Sequence, residues 1–140
     1  MRRVFLWLQL VFATIVIVGV WLQVYLIASF FFGADGALDA HETVGYTAVH
    51  FAEILAFLTG IGAWWRNWGR VGHSFGLALV GTVQIFLTGA EEWVGGLHGL
   101  LALVVLVMAV TLAKWATEEL GFRRGRGGGG ADSEAPRPLP

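Results

Sequence analysis

A long uncharged segment near the N-terminus constrains this chain more than any other feature of its sequence. Residues 4–32 contain no Asp, Glu, Lys, Arg or His. Crossing the hydrocarbon core of a bilayer takes about 20 apolar residues in a helix, so this segment is long enough to span a membrane. It is also longer than the apolar region of a cleaved signal peptide, although Arg2 and Arg3 precede it. The sequence therefore predicts a retained membrane-spanning helix.

Three further apolar segments follow the first, over residues 40–65, 71–90 and 93–116. A chain in lipid must satisfy its own backbone hydrogen bonds, which favours helices. Short linkers force neighbouring helices to run antiparallel. Only 14% of the residues are charged, against about 25% in soluble domains. The sequence predicts an all-α, antiparallel up-down four-helix transmembrane bundle in one domain, residues 1–120.

The basic residues all fall in segments that the predicted topology places on one side of the membrane. They are Arg2, Arg3, Arg66, Arg70, Lys114, Arg123, Arg124, Arg126 and Arg137. Cytoplasmic segments carry an excess of Lys and Arg. The sequence therefore predicts a multi-pass protein of the cell membrane, embedded in the lipid bilayer, with both termini cytoplasmic and the acidic loops outside.

The remaining composition excludes several functional classes. The chain has no Cys, which excludes disulfides, zinc–thiolate sites and a cysteine nucleophile. Its formal net charge of -1 indicates no nucleic-acid partner. No Ser-His-Asp set or phosphate-binding loop is recognisable, so an independent enzyme is not expected. The Gly- and Arg-rich residues 121–140 predict a disordered cytoplasmic tail.

Two of the four histidines are predicted to lie at the same depth. His41 opens the second predicted helix and His98 opens the fourth, and both helices start at the outer surface. His50 lies about 13 Å deeper than His41 at 1.5 Å per residue. His73 opens the third helix at the cytoplasmic side. The sequence therefore brings His41 and His98 together as the one candidate histidine pair.

This pair is suited to axial ligation of haem. Paired histidines on facing helices of a bundle are a common haem-binding arrangement. A helix N-terminus disfavours imidazolium, and the neutral imidazole is the form that binds metal. Stripes of mostly small residues follow each histidine along its helix: Gly45, Ala48, Ala52, Ala56 and Thr59 under His41, and Ala102, Val105, Ala109 and Ala116 under His98.

The two helix openings resemble those in one half of haem A synthase. HETVG at residues 41–45 and LHGLL at residues 97–101 carry the resemblance, and the chain also resembles small four-helix membrane proteins of bacteria. The resemblance implies one b-type haem near the outer face, used for electron transfer with a membrane redox partner or for haem handling. It implies haem ligation by His41 and His98 alone.

The substrate-oxidising chemistry of that synthase is not carried over. The family usually has Arg directly after its first histidine and Glu three residues before it. Here these positions hold Glu42 and Leu38.

Two alternatives to haem remain open. One is a divalent-metal-binding or transport protein with an outward-facing site of carboxylates and imidazoles. Its ligands would be Asp39, His41, Glu42, Glu91, Glu92 and His98. These acids also have structural roles, with Asp39 as a predicted helix N-cap and Glu42 as its partner. The other alternative is a cofactor-free structural or partner-binding subunit of a larger membrane complex.

Several polar residues inside the predicted spans have no assigned role. His50 and Glu53 are three residues apart and share a helix face, which predicts a buried hydrogen bond, a proton path or half of a metal site. His73, Gln84 and Glu91 share a face of the third helix. Gln9 and Gln23 share a face of the first helix and are predicted to form hydrogen bonds between helices.

Overall fold

The structure is a computed structural model that describes residues 1–88 and 92–122, with the backbone alone for Glu92. Its described residues are helical and contain no strand, which confirms the predicted all-α class. The α-helices are α1 (Arg2–Phe31), α2 (Ala37–Val44), α3 (His50–Ala63), α4 (Trp68–Leu87), α5 (Glu92–Gly95) and α6 (Leu97–Leu120). A π-helical turn, Gly45–Val49, joins α2 to α3 without a break.

Within residues 1–88 and 92–122, four helical segments are long and apolar enough to cross a membrane. They are Arg2–Phe31, Ala37–Ala63, Trp68–Leu87 and Trp93–Leu120. Each buries one narrow stripe and exposes apolar residues elsewhere, as α1 does by burying Ala13 and Val16 while exposing Trp21 and Tyr25. Exposed apolar surface on this scale is unusual in a soluble monomer. It is the surface that a helix in contact with lipid presents.

The helices form a four-cornered bundle. α1 and α4 each pack against both α3 and α6, which places α1 and α4 at opposite corners. Small residues allow the close approach: a Cβ on Gly19 would lie 2.6 Å from Val49, and one on Gly62 would lie 2.6 Å from Phe5. Without a hydrophobic force between helices in lipid, close packing of this kind holds a bundle together.

The π-helical turn changes which residues of the second span face inward. Val49 is 3% exposed and Ala52 and Ala56 are buried, whereas Ala48 is exposed. The prediction that Ala48 lies inward under His41 is therefore wrong. A π-helical turn holds one residue more than an α-helical turn, which brings Val49 inward in place of Ala48, while Ala52 and Ala56 stay on the buried face.

Polar side chains join the four segments at one end of the bundle. Arg2 and Arg70 both form salt bridges with Glu119, at 2.8 and 2.7 Å. Nε of Arg2 also donates to the carbonyl of Ala63 at 3.0 Å. Exposed ion pairs contribute only about 0–1 kcal/mol each. Their value here is in positioning, since they bring the starts of α1 and α4 against the ends of α3 and α6.

The helix ends differ in part from the sequence predictions. Gly36, in the left-handed conformation at φ 74°, precedes α2, so Asp39 lies inside the first turn and its prediction as the N-cap is wrong. The side chain of Asn67 caps α4 through the N–H of Arg70. Gly121, at φ 92°, ends α6. The predicted tail lies outside the described residues from position 123 onward.

Candidate functional site

The two histidines that the sequence singles out meet at one end of the bundle. His41 lies on α2 and His98 on α6, and their ring centroids are 6.3 Å apart at an interplanar angle of 65°. Both side chains are half-buried. α1 and α4 flank them through Gln23 and Gln84. All four segments therefore contribute to this end of the bundle.

Hydrogen bonds to the backbone fix both rings. Nδ1 of His41 lies 3.2 Å from the carbonyl oxygen of Gln23, and Nδ1 of His98 lies 3.0 Å from that of Gln84. A carbonyl only accepts hydrogen bonds, so Nδ1 carries the hydrogen in each ring. In the neutral imidazole, Nε2 then keeps its lone pair. Metal-bound histidines are commonly held by a second hydrogen bond of this kind.

Gln23 holds His41 at two points. Its carbonyl accepts from the His41 ring, and its own Nε2 donates to the His41 carbonyl at 2.9 Å. Gly45, one turn further along, leaves room for this amide, because a Cβ there would lie 2.6 Å from Nε2 of Gln23. The predicted interhelical role of Gln23 is confirmed. The sequence did not predict that its partner is His41, because the sequence does not show which turn of α1 packs against α2.

The centroid separation of the two rings is close to that of two imidazole ligands on opposite sides of one metal ion. Imidazole nitrogens bind metal ions at about 2.0–2.1 Å. Two rings on opposite sides of one ion then have centres roughly 6 Å apart by the same bond length, close to the observed 6.3 Å. His41 and His98 therefore combine a suitable separation with a lone pair on each Nε2.

The described carboxylates of the alternative metal site, Asp39 and Glu42, do not form a metal site with this pair. Asp39 and Glu42 are exposed. Glu91 and the side chain of Glu92 lie outside the described part of the chain. Among the side chains that the structure describes, no group of three His, Asp or Glu residues comes together as a metal site.

A second polar pair lies deeper in the bundle. Nδ1 of His50 is 3.1 Å from Oε2 of Glu53, with side-chain exposures of 20% and 1%. The shared face predicted from their spacing is thus observed. Oε1 of Gln84, which is also buried, has no hydrogen-bond partner among the described residues.

His73 belongs to neither pair. Its Nε2 lies 3.2 Å from the carbonyl oxygen of Met108, and its ring packs on Trp115 at 5.0 Å. Arg70 also lies over the Trp115 ring, at 5.2 Å. His73 therefore links α4 to α6 near the arginine end of the bundle, which is the end that holds Arg2, Arg70 and Glu119. It serves as an internal control for the other histidines.

No family model matches the chain, and neither does any curated protein or solved structure. The resemblance to haem A synthase accordingly stays a prediction from residues 41–45 and 97–101.

Proposed function

We propose that this chain is a multi-pass protein of the cell membrane, folded as an up-down bundle with both termini cytoplasmic. Arg2, Arg70 and Glu119 share one end, which supports an arrangement with alternating helix directions. Arg3 and Arg66 add positive charge near the same end. An excess of basic residues identifies the cytoplasmic side. The His41–His98 end then lies at the outer face.

The function supported best is binding of one b-type haem between His41 and His98. The observation that carries it is the pair of rings 6.3 Å apart, each held through Nδ1. Without Cys the chain has no means of attaching haem through thioethers, so the haem would be held by ligation and packing. A bis-histidine haem would supply one-electron transfer or a store of haem for another protein.

The protein's own contribution to haem binding would be to orient the two imidazole rings. The carbonyls of Gln23 and Gln84 keep the hydrogen on Nδ1 and point each ring. A hydrogen bond from Nδ1 to an acceptor also raises the basicity of Nε2 as a ligand. His41 and His98 sit on different segments, so ligation would additionally tie α2 to α6.

Absorption spectroscopy of the full chain, purified from haem-supplemented cells, tests this proposal. We expect a Soret band and the reduced spectrum of a low-spin haem. His41→Ala and His98→Ala should each abolish that spectrum, whereas His73→Ala should keep it. A colourless protein that remains colourless on titration with haem would refute haem binding.

The same geometry also supports a cofactor-free structural or partner-binding subunit. Both rings already have hydrogen-bond partners, so the pair can act as a link between helix ends. This alternative predicts a folded, colourless protein that migrates in a larger complex after mild solubilisation. A divalent-metal protein would instead show stoichiometric metal on elemental analysis.

A further inference from the structure

The His50–Glu53 pair lies apart from the His41–His98 contact. His50 is nine residues beyond His41, which corresponds to about 13 Å along a helix. Glu53 is fully buried, while His50 retains some exposed surface. Ionisable groups within membrane spans are costly, and they commonly mark sites that move protons or ions.

The carboxyl group of Glu53 is pressed against the backbone of α4 at a glycine. A Cβ placed on Gly81 would overlap the carboxyl group, so no larger residue fits there without a shift. Gly81 is itself buried. The carboxyl group thus fills the space between α3 and α4 and is shielded from lipid on that side.

One oxygen of the Glu53 carboxyl group has no hydrogen-bond donor among the described residues. Oε2 of Glu53 contacts Nδ1 of His50, but Oε1 is buried without a partner among the described residues. Oε1 of Gln84, three residues from Gly81 on the same helix, is likewise buried without a hydrogen-bond partner among the described residues. Both atoms are acceptors. A buried carboxylate needs donors for both of its oxygens, so a carboxyl group with a partner at Oε2 alone favours the neutral acid over the charged form.

No basic side chain of the described residues compensates Glu53 other than His50. The salt bridge recorded for Glu53 is with His50, and α1 carries no charged residue beyond Arg3. On α4 the neighbouring positions are Gly81 and the neutral Gln84. Towards its arginine-rich start α4 also carries Arg70 and His73. The basic groups of α2 and α6 are His41 and His98, which hydrogen-bond to backbone carbonyls, and the exposed Lys114. The other titratable groups of these two helices are the carboxyl groups of Asp39, Glu42, Glu118 and Glu119. A buried charge without a partner is strongly disfavoured.

We propose that His50 and Glu53 form a proton-binding site inside the bundle, in which Glu53 holds the proton and His50 exchanges it. Loading takes one proton from a hydronium ion, which leaves as water, onto Nε2 of the imidazole, and the imidazole passes its Nδ1 hydrogen to Oε2 of Glu53. The imidazole returns to its neutral form and the carboxylate becomes a carboxylic acid. Release is the reverse of these two steps. The site is independent of haem, because neither group contacts His41 or His98 in the structure.

Infrared spectroscopy of the full chain in lipid nanodiscs tests this site without any cofactor. With ¹³C label in the Glu carboxyl groups, we expect a carboxylic-acid band at neutral pH that loses intensity as the pH is raised. Glu53→Gln should remove this band. Glu42→Gln, at an exposed position in the same span, should leave it intact. All seven glutamates carry the label, so Glu53→Gln assigns the band, while the presence of the band and its response to pH are measured in the parent protein without any variant.

His50→Gln separates proton exchange from a static hydrogen bond. We expect the band to persist, while exchange of its hydrogen for deuterium slows by about tenfold or more for loss of the transferring base. Three results would overturn the proposal. These are no carboxylic-acid band at neutral pH, a band insensitive to both pH and His50→Gln, or a band that responds to Na⁺ at constant pH and so indicates a metal cation.

Discussion

Single atoms decide how much space each polar side chain has in this bundle. The carboxyl group of Glu53 fits only because Gly81 has no side chain, and the amide of Gln23 fits only because Gly45 has none. Neither glycine adopts a left-handed conformation. Their importance is therefore one of space between helices, the usual reason for small residues in membrane bundles.

Gly81→Ala should destabilise the protein, whereas Gly72→Ala should not. Overpacking a filled site costs about 1–3 kcal/mol, and the new methyl group would overlap the carboxyl group of Glu53. Gly72 lies on the same helix with no atom near its potential Cβ. Alanine there should raise stability by roughly 0.5–1 kcal/mol through its helix propensity. Thermal unfolding in detergent measures both, and equal melting temperatures for the two variants would contradict this packing.

Gln23→Leu should loosen His41 without unfolding the bundle. The substitution removes the donor to the His41 carbonyl but leaves the Gln23 carbonyl that accepts from the ring. A net loss of about 0.5–1.5 kcal/mol is expected for one hydrogen bond. Gln9→Leu is not a neutral control, because Oε1 of Gln9 accepts from Thr59 in the core. Unfolding in detergent measures this loss of stability. Where haem is bound, titration with haem should also show weaker binding to the variant.

Among the elements, the second span departs furthest from a regular helix. Its π-helical turn, Gly45–Val49, separates α2, which carries His41, from α3, which carries His50 and Glu53. Such turns occur frequently at functional sites. Here the turn lets α2 present His41 to His98 while α3 buries Glu53 against α4.

Deletion of Ala48 should separate these two functions of the span. Removing the extra residue would convert the π-helical turn to α-helix and rotate α2 by about 100° relative to α3. His41 would then turn away from His98, and the haem spectrum should be lost while the His50–Glu53 infrared band remains. Deletion of Ala34, in the linker before α2, leaves the register within the span unchanged and should keep both signals. Retention of the haem spectrum after deletion of Ala48 would contradict this role.

For the molecule as a whole, charge and polarity divide between two ends. The arginine end holds the Arg2, Arg70 and Glu119 ion pairs, and the opposite end holds the His41–His98 contact and the acidic Asp35 and Asp39. This division supports the proposed orientation, with the histidine end outside.

Single cysteines can establish that orientation directly, since the natural chain has none. Asp35→Cys and Gly69→Cys place exposed thiols at the histidine and arginine ends. In intact cells, a membrane-impermeant maleimide should label Asp35→Cys, and it should label Gly69→Cys only after permeabilisation. The reverse pattern would invert the proposed topology and place the histidine pair at the cytoplasmic face.

The sequence alone determined the helical class, the four apolar segments and the separation of basic from acidic linkers. These follow from long-range composition, because lipid requires internally bonded helices about 20 residues long. It also predicted that His41 and His98 share a depth and that His50 and Glu53 share a face, since both depend only on regular helix geometry.

Only the tertiary structure decided which way the side chains point. Rotation of one helix against another is set by packing, as at Gly19 and Gly81, and no linear pattern records it. The π-helical turn likewise has no signal in residues 45–49 that distinguishes it from α-helix. The tertiary structure therefore supplied the 6.3 Å approach of His41 and His98, the carbonyls that fix their rings, and the burial of Glu53.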